Sequence, residues 1–408
     1  MKIVIDCRYI RSQPSGIGAY VEALVRRLPT LAPDADFELW RNPTGPERLS
    51  PAPNVRQLTV ANPANSLATL AWPGRLGPLD AETVFHSPHN ILGVGVPGAS
   101  VVTVHDLMWL EAPWLCDDLL PRRLVRQAFF GVGIANALRR ATRILTVSHA
   151  SADAILRRAP WLRGRLHVAP NAADQRFAPP ADEPGARARA AAILGTDAPF
   201  FLLVGQNQPS KAHGLALRAF AAAARAGERI VLVQRQRPRR GLDALAHELG
   251  VADRVIWRGA LAFDDLLTLL QAATALVQPS LAEGFGMPAL EAMAAGCPVI
   301  ASDIPPLCEI LGGAGLHVPA GDGAALARAL RAVADDGPRR AEMKAHGLAQ
   351  ARRYSWDDTA AIVMATYREA AAMLASDGRR RALPAPHPCL QRDPWPPRPA
   401  TLGRGGNP

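Results

Sequence analysis

Short apolar runs alternate with Ala-, Leu- and Arg-rich stretches of helical periodicity along most of the chain. Runs that are apolar on both faces are typical of parallel strands covered by helices on either side, so the pattern predicts an α/β protein. A first series of strands is predicted at Ile3–Ile5, Phe37–Trp40, Val55–Val60, Val84–His86, Val101–His105, Ile144–Val147 and Leu166–Ala169. A second series is predicted at Phe200–Val204, Ile230–Gln234, Val255–Trp257, Ala275–Gln278, Val299–Ser302 and Leu316–Val318. We therefore expect two doubly wound, Rossmann-like domains in tandem.

The two series divide the chain into five predicted segments. Residues 1–176 form the first domain, residues 177–199 a linker with a short helix, and residues 200–354 the second domain. Residues 355–375 begin with Ser-Trp-Asp-Asp, which matches a capping box, and predict a helix that packs back towards the first domain. Residues 376–408 are rich in Pro and Arg without apolar periodicity, which predicts a disordered tail.

Composition and charge narrow the functional classes. The 408 residues are 49% hydrophobic and carry a net charge of +10, but the six Arg and one Asp of residues 379–408 supply +5 of it. The remainder is only mildly basic, so nucleic-acid binding is not favoured. The five cysteines are scattered without zinc-ligand spacing, and neither a signal peptide nor a membrane span is apparent. We expect a cytoplasmic protein that acts at or near the inner face of the cytoplasmic membrane.

The strongest motif lies between residues 275 and 300, where a buried strand leads into the loop Glu283-Gly284-Phe285-Gly286. A helix follows, with Pro288 in its first turn, which is a favoured position for proline. The glycines allow a ligand to approach backbone amides, and the helix N-terminus favours phosphate. Glu291, expected in the first turn of that helix, is suited to accept two hydrogen bonds from a ribose diol.

This segment resembles the Glu-x7-Glu signature of the retaining GT-B nucleotide-sugar glycosyltransferases, the glycosyl transferases group 1, and the resemblance covers roughly residues 1–375. It implies two Rossmann-like domains that face a cleft. It also implies that Glu291 holds the nucleotide ribose and that Glu283 contacts the donor sugar near its transferring centre. The amides of Gly284, Phe285 and Gly286 would flank the sugar and diphosphate.

The second motif follows the strand at residues 200–204, where Gly205 ends the strand and Lys211 precedes a helix. The resembling family has Arg directly after this glycine and Lys five residues further on, and both clamp the diphosphate. Lys211 matches that pattern, whereas Gln206 replaces the Arg. Only Lys2, Lys211 and Lys344 are lysines in this Arg-biased chain, which makes Lys211 more informative.

Several candidates in the first domain rest on the same resemblance. Gly16 and Gly18, expected before a helix, match the family's first loop, which approaches the diphosphate and the acceptor. His105 and Asp106 stand at the end of a predicted strand, where doubly wound sheets bind ligands, and the resemblance directs His105 to the donor sugar. Ser148 and Asn171 belong to two further segments that resemble the family's cleft.

Two charged features have less specific interpretations. Asp34-Ala-Asp36 has the form of a glycosyltransferase metal motif but lies in a predicted turn, so no metal site is expected. Six arginines surround Phe129 and Phe130 between residues 121 and 143. This segment is either a basic amphipathic surface for anionic lipid or a solvated helix with a buried Phe pair.

The resemblance implies a retaining, metal-independent hexosyltransferase with Glu283, Lys211, His105 and Asp106 at the reacting centre. No cofactor is required beyond the donor substrate, a GDP- or UDP-sugar, and the Gly-Ile-Gly loop with His-Asp favours mannose. The acceptor would be a glycan or a lipid-linked sugar in cell-surface polysaccharide synthesis. The alternatives are a GT-B epimerase, a glycogen-synthase-like enzyme, or a catalytically silent nucleotide-sugar-binding partner of a glycan assembly complex, which Gln206 keeps open.

Overall fold

A computed structural model describes residues 1–12, 15–71, 73–234 and 240–377. These residues form two compact units. The first unit comprises Met1–Ala112, Leu124–Asn171 and the described chain from Ser355 onward, and the second comprises Pro113–Arg123 and Ala172–Tyr354. The grouping of Pro113–Arg123 with the second unit was not expected from the sequence. Of the tail predicted over 376–408, residues 378–408 lie outside the described part of the chain.

The first unit contains a seven-stranded sheet in which every pairing is parallel. Its strands are β1 (Lys2–Asp6), β2 (Asp36–Arg41), β3 (Val55–Thr59), β4 (Thr83–Ser87), β5 (Ala99–Thr103), β6 (Arg143–Thr146) and β7 (Leu166–Val168), in the order β3-β2-β1-β4-β5-β6-β7. Ile5 pairs with Leu39 on one side and with His86 on the other. The strand order reverses between β1 and β4, and such a switch point is where doubly wound sheets bind ligands.

The second unit repeats this arrangement with six parallel strands. They are β8 (Phe200–Val204), β9 (Arg229–Val233), β10 (Val255–Arg258), β11 (Ala275–Gln278), β12 (Val299–Ser302) and β13 (Leu316–Val318), in the order β10-β9-β8-β11-β12-β13. Its switch point lies between β8 and β11. The prediction of two parallel-sheet, Rossmann-like domains is confirmed.

Helices connect the strands of both sheets. They are α1 (Gly16–Val25), α2 (Leu28–Leu31), α3 (Leu67–Ala71), α4 (Met108–Glu111), α5 (Leu120–Arg140), α6 (His149–Arg158), α7 (Glu183–Leu194), α8 (His213–Ala223), α9 (Arg240–Glu248), α10 (Phe263–Ala272), α11 (Met287–Ala294), α12 (Pro305–Leu311), α13 (Gly323–Asp335), α14 (Gly337–Ala351) and α15 (Trp356–Asp377). Within the described ranges, no helix is long and apolar enough to cross a membrane.

Each unit has its own apolar core. In the first, Trp40 and Phe85 from the sheet lie 5.3 Å apart between ring centroids, and Ile134 of α5 packs into the same cluster. In the second, Phe201 of β8 meets Phe220 of α8 edge to face at 6.4 Å. The central strands of each sheet are covered on both faces. This burial explains why their sequences are uninterrupted apolar runs.

Helix α15 is tied to the first unit by buried polar contacts. Ser355 caps it by accepting a hydrogen bond from the Asp357 backbone N–H at 3.1 Å. Further along, the Tyr367 hydroxyl lies 2.6 Å from His86 Nδ1, and Arg143 Nε donates to Glu369 Oε2 at 2.9 Å. Burial lowers the pKa of His86 to about 3, so the imidazole that contacts Tyr367 is neutral.

Candidate active site

Two loops meet at the switch point of the second sheet. The loop after β8 begins at Gly205, whose φ of 146° is a value that glycine adopts readily. It continues into a 3₁₀ turn at Pro209–Lys211. The loop after β11 leads into α11. The backbone N–H of Leu281 in the second loop donates to the Ser210 carbonyl in the first at 2.7 Å. The two motifs identified from the sequence are therefore joined directly.

Lys211 and Glu283 form the centre of this site. Lys211 Nζ lies 2.5 Å from Glu283 Oε1. The same oxygen accepts hydrogen bonds from Gln278 Nε2 at 2.9 Å and from Ser280 Oγ at 2.7 Å. The Glu283 side chain is only 9% exposed, whereas that of Lys211 is 22% exposed. The carboxylate is thus held by three donors, and it orients the lysine that reaches solvent.

His213 and Gln234 form a buried pair near Lys211, and the sequence did not indicate a role for either residue. Gln234 Nε2 donates to His213 Nδ1 at 2.8 Å, and both side chains are buried. Burial lowers the pKa of His213 to about 4, and the charge of Lys211 acts in the same direction. The imidazole is therefore neutral, so the local positive charge remains on Lys211. No motif signals this pair, because the two residues lie on different elements.

The Glu283–Gly286 loop has the conformation that the glycines predict. Gly286 has a φ of 124°, and a Cβ there would lie 2.6 Å from Leu307 Cδ2. Phe285 is buried and meets Tyr354 edge to face at 5.7 Å, so its side chain anchors the loop. Gly284 lies between Glu283 and this anchor. Helix α11 then begins at Met287 with Pro288 in its first turn, as expected.

Glu291 occupies the second turn of α11, not the first turn that the sequence suggested, because the helix begins only at Met287. Burial raises the pKa of Glu291 to about 8, and the negative charge of Asp174 adds to the effect. Without a ligand, Glu291 is therefore largely protonated at neutral pH. Gln206 is half-buried directly after Gly205, and its backbone carbonyl accepts from the Gln208 N–H at 2.9 Å.

A segment from the first half of the sequence also reaches this site. Pro113–Leu115 forms a 3₁₀ turn whose Cα atoms come within 8 Å of those of Pro209–Lys211. Trp114 in that turn is 56% exposed. The contact explains why Pro113–Arg123 groups with the second unit, and no local pattern in the sequence could have indicated it.

In the first unit, Gly16 and Gly18 lie inside α1, not before it as the sequence suggested. The helix begins at Gly16 because Ser15 caps it, with its Oγ accepting from the Gly18 N–H at 3.0 Å. A Cβ on Gly18 would lie 2.7 Å from the Tyr9 carbonyl oxygen, whereas one on Gly16 would meet nothing within 4 Å. Gly18 is thus required by packing, whereas packing does not require a glycine at position 16.

His105 and Asp106 follow β5 in a loop, because the strand ends at Thr103, two residues earlier than predicted. His105 Nε2 donates to the Pro88 carbonyl at 2.9 Å, and its ring meets Tyr20 edge to face at 5.1 Å. Asp106 Oδ1 accepts from the Met108 N–H at 2.9 Å and so fixes the start of α4.

Ser148 and Asn171 are both buried after strand ends. Ser148 caps α6 by accepting a hydrogen bond from the Ser151 N–H at 3.0 Å. Asn171 is 5% exposed, and its buried Oδ1 has no hydrogen-bond partner in the described chain. Ser148 therefore stabilises the start of α6. The Asn171 side-chain oxygen remains a buried acceptor that lacks a hydrogen bond among the described residues.

A buried ion pair at the switch point between β1 and β4 was not foreseen. Arg8 donates to Asp6 through Nε at 2.7 Å and Nη2 at 2.6 Å, and His89 Nε2 lies 3.1 Å from Asp6 Oδ2. All three side chains are at most 2% exposed. Burial alone would raise the pKa of Asp6, but the hydrogen bonds from Arg8 and His89 outweigh it and hold the pKa well below its usual value.

Comparison with known proteins decides the family. The sequence profile of the glycosyl transferases group 1 matches residues 187–350. D-inositol 3-phosphate glycosyltransferase of Acidothermus cellulolyticus is 31% identical over 398 residues, which cover 88% of this chain and 86% of that protein. The chain belongs to the glycosyl transferases group 1 family. Within it, O-antigen chain mannosyltransferase B of Escherichia coli is 27% identical over 90% of this chain and 100% of that protein.

Solved structures show the fold of this glycosyltransferase to be GT-B. Sucrose-phosphate synthase from Thermosynechococcus elongatus superposes with a TM-score of 0.69 at 22% identity, covering 91% of this chain and 100% of that one. WaaG, a glycosyltransferase involved in lipopolysaccharide biosynthesis, gives 0.66 at 16% identity over 91% and 99%. Anabaena HepE in complex with UDP and glucose gives 0.65 at 20% identity over 92% and 100%.

Among the residues that the structure describes, no three His, Cys, Asp or Glu side chains are placed to hold a metal ion. Asp34 and Asp36 are both exposed, with Asp36 opening β2. In the second unit, the Lys211 ammonium contacts Glu283, and the N-terminus of α11, which carries partial positive charge, begins four residues later at Met287.

Proposed function

We propose that the protein is a retaining, metal-independent hexosyltransferase that moves a sugar from a nucleotide-sugar donor to a glycan or lipid-linked acceptor in cell-surface polysaccharide synthesis. The observation that carries the proposal is the Lys211–Glu283 pair, which lies at the switch point of the second sheet beside the Gly286–α11 junction. This combination places a cation beside the N-terminus of a helix, which suits a sugar diphosphate.

The donor residues have separate tasks in this proposal. Lys211 and the amides of Gly284, Phe285 and Gly286 bind the diphosphate and sugar, with Gln206 beside them. When the nucleotide enters, Glu291 releases its proton to solvent, and the resulting carboxylate accepts hydrogen bonds from the two ribose hydroxyls. The donor is a GDP- or UDP-sugar. A mannosyltransferase among the relatives supports mannose, while HepE in complex with UDP-glucose supports a uridine nucleotide.

The chemical step requires no resident base. The bond between the anomeric carbon and the diphosphate oxygen breaks while the acceptor oxygen bonds to the same face of the sugar. The departing phosphate oxygen takes the acceptor proton. Because negative charge grows on the diphosphate, the Lys211 ammonium and the loop amides stabilise the transition state more than the ground state. His105, Asp106, Gly16, Ser148 and Asn171 belong to the acceptor-side unit.

The acceptor partner is proposed to lie at an anionic membrane, which α5 contacts from the cytoplasmic side. Leu124, Val125 and Val132 on this helix are 56%, 71% and 56% exposed. Arg126, Arg139 and Arg140 are exposed on the same helix. Exposed apolar side chains flanked by arginines suit the boundary between lipid head groups and acyl chains. Phe129 and Phe130 instead pack against the core of the first unit.

One observation favours a second function. Gln206 stands where the family has Arg, and the remaining cation, Lys211, is already paired with Glu283. A site with one partly neutralised cation could bind a nucleotide sugar without turning it over, as a catalytically silent partner would. Turnover measurements separate the two functions.

Thermal-shift screening with GDP-mannose, UDP-glucose and the free nucleotides tests the proposal, because a ligand that binds the folded state raises Tm. We expect one nucleotide sugar to raise Tm in the wild-type protein and not in Lys211→Ala. Release of its nucleoside diphosphate should then rise with a cell-surface glycan acceptor. Binding without release across an acceptor panel would support the silent partner, and no stabilisation by any donor would refute both.

A further inference from the structure

The tripeptide Pro-Trp-Leu occurs twice in the chain, at residues 113–115 and at residues 160–162. Both copies form a 3₁₀ turn, and both expose the indole ring, with Trp114 56% exposed and Trp161 60% exposed. An exposed tryptophan combines a large apolar surface with one N–H donor, which suits a contact that is apolar on one side and wet on the other. Because the two turns expose the same side chain, their surroundings decide which partner suits each of them.

The charge around the two tryptophans differs in sign. Residues 157–163, which we call the Trp161 turn, contain three arginines and no acidic residue. All three are exposed, and they are Arg157, Arg158 and Arg163. Residues 111–118, around Trp114, contain three acidic residues and no basic one. Only the Trp161 turn therefore has the charge that attracts an anionic partner.

The core of the first unit holds the Trp161 turn in place. Ala159 and Leu162 are both fully buried, and the Leu162 N–H donates to the Ala159 carbonyl at 3.1 Å. The Arg165 N–H then donates to the Leu162 carbonyl at 2.7 Å. Because the backbone is fixed on both sides of the indole, a partner that covers the ring does not have to order this segment first.

The Trp161 turn lies next to the last turn of α5. Arg165 Nη1 donates to the Ala141 carbonyl at 3.2 Å, directly after that helix ends. The two residues before Ala141, Arg139 and Arg140, are both exposed. Ala141 and Leu162 also pack into the same apolar cluster. The basic end of α5 and the Trp161 turn are thus neighbours within the first unit.

We propose that the Trp161 turn is a second membrane anchor, in which the indole inserts among the head groups of an anionic bilayer while the flanking arginines contact lipid phosphates. Tryptophan favours the membrane–water interface, and arginines near anionic lipid add attraction. One exposed ring is too small for a stable protein–protein interface, which buries about 800 Å² on each partner. The inference rests on the proposed function for the presence of a membrane, and it adds a contact outside the exposed apolar residues of α5.

Co-sedimentation of the full chain with vesicles tests the anchor, with about one-third phosphatidylglycerol in phosphatidylcholine compared with phosphatidylcholine alone. We expect Trp161→Ala to lower the partition coefficient on the anionic vesicles roughly 10-fold, because a large aromatic side chain no longer leaves water. Trp114→Ala is the matched control, since it removes the same exposed ring from the acidic copy of the turn, and it should bind like the wild type. Equal losses for the two variants, or no loss for Trp161→Ala, would overturn the proposal.

The arginines are tested by removing their charge. The charge variant combines Arg157→Gln, Arg158→Gln and Arg163→Gln. At low salt its partition coefficient should fall on the order of 100-fold, because each arginine near an anionic surface contributes roughly fivefold. The matched control replaces three exposed arginines of the second unit by Gln, namely Arg187, Arg189 and Arg352. Equal losses for the two triple variants would mean that net charge alone attracts the protein, and the anchor would be refuted.

Insertion of the ring is tested by tryptophan fluorescence with anionic vesicles whose acyl chains carry bromine, which quenches an indole on contact. We expect these vesicles to quench the wild-type protein, and we expect Trp161→Phe to lose most of that quenching. Trp114→Phe should keep it. Quenching that persists in Trp161→Phe would show that the indole of residue 161 does not enter the bilayer, contrary to the proposal.

Failure of the proposed function gives a different result, because these measurements require neither donor nor acceptor. A protein that binds no nucleotide sugar but keeps its Trp161-dependent vesicle binding would refute the proposed function and support the anchor. An active enzyme whose Trp161→Ala variant binds vesicles normally would refute the anchor alone. Binding to the soluble polyanion heparin in preference to vesicles, unchanged in Trp161→Ala, would also refute it.

Discussion

Lys211 Nζ lies 2.5 Å from Glu283 Oε1, and 72 residues of sequence separate the two. The contact joins the loops after β8 and β11, which are neighbouring strands at the switch point of the second sheet. Because Gln278 and Ser280 also donate to the same carboxylate oxygen, Glu283 stays fixed when Lys211 moves. In the proposed mechanism, Lys211 transfers from this carboxylate to an incoming diphosphate.

Replacing Lys211 with Ala should lower kcat on the order of 100-fold and change KM for the donor much less, because charge on the diphosphate grows in the transition state. Steady-state kinetics with the donor found by thermal shift would measure this. Lys344→Ala is the matched control, since Lys344 also pairs with a glutamate, Glu183. A raised KM with unchanged kcat would mean that Lys211 only anchors the donor.

Glu291 should make the ligand-free protein less stable as the pH rises. Its pKa is about 8 when folded and near 4.5 when unfolded, so the folded state binds the extra proton between those values. Stability therefore falls with increasing pH across that window. Glu291→Gln lacks this fall, and we expect its Tm to exceed that of the wild type by a few degrees at pH 8.5 but not at pH 5. Parallel Tm curves for the two proteins would show that Glu291 ionises normally.

The two glycines of α1 should respond differently to alanine. Gly18→Ala places a Cβ 2.7 Å from the Tyr9 carbonyl oxygen and should lower Tm, whereas Gly16→Ala meets no neighbour. Alanine at a compatible position stabilises by roughly 0.4–1 kcal/mol, so Gly16→Ala should unfold at an equal or slightly higher temperature. Kinetics then test the ligand role: a stable Gly16→Ala protein with normal turnover removes Gly16 from the site.

Two charge substitutions on α5 test the membrane surface. Leu124→Glu and Val125→Glu should weaken binding to vesicles that contain about one-third anionic lipid, because each places a negative charge at the head-group level. Co-sedimentation with the vesicles measures binding. Leu67→Glu is the control, since Leu67 is 74% exposed but lies on α3. Equal binding by all three variants would exclude α5 as the contact surface.

Exhaustive chelation should leave turnover unchanged, because Lys211 and the α11 amides supply the positive charge that a diphosphate requires. Asp34→Asn combined with Asp36→Asn should also be nearly neutral, as both side chains are exposed. Activity lost with a chelator and restored by Mn²⁺ would refute the metal-independent mechanism.

The strands were predictable because parallel strands buried on both faces require apolar residues at nearly every position. The placement of Lys211 and Glu283 was predictable as well, since each follows a strand and the carboxyl ends of adjacent parallel strands meet at one edge. The sequence could not predict which side chains contact each site residue. The proximity of Asp174 that helps raise the pKa of Glu291 depends on tertiary packing, as does the tie between His89 and Asp6.

Helix capping explains why α1 begins before the position that the sequence suggested. Ser15 can cap a helix one residue before Gly16, so α1 begins earlier than a glycine-rich loop suggests. Ser148 caps α6 in the same way, and its place among the cleft residues stays a prediction. The 113–123 segment joins the second unit through contacts with residues more than 80 positions away, which no window of sequence contains.

The last helix of the chain carries side chains that the first unit needs. His86 on β4 and Arg143 on β6 emerge early in synthesis, but their partners Tyr367 and Glu369 are added nearly at the end. The amino-terminal half cannot finish its core on the ribosome and must wait for the entire second unit to be made. A fragment ending at residue 171 should therefore be unstable alone and gain stability from a separately supplied peptide spanning α15, so that the first unit can be reassembled from two pieces.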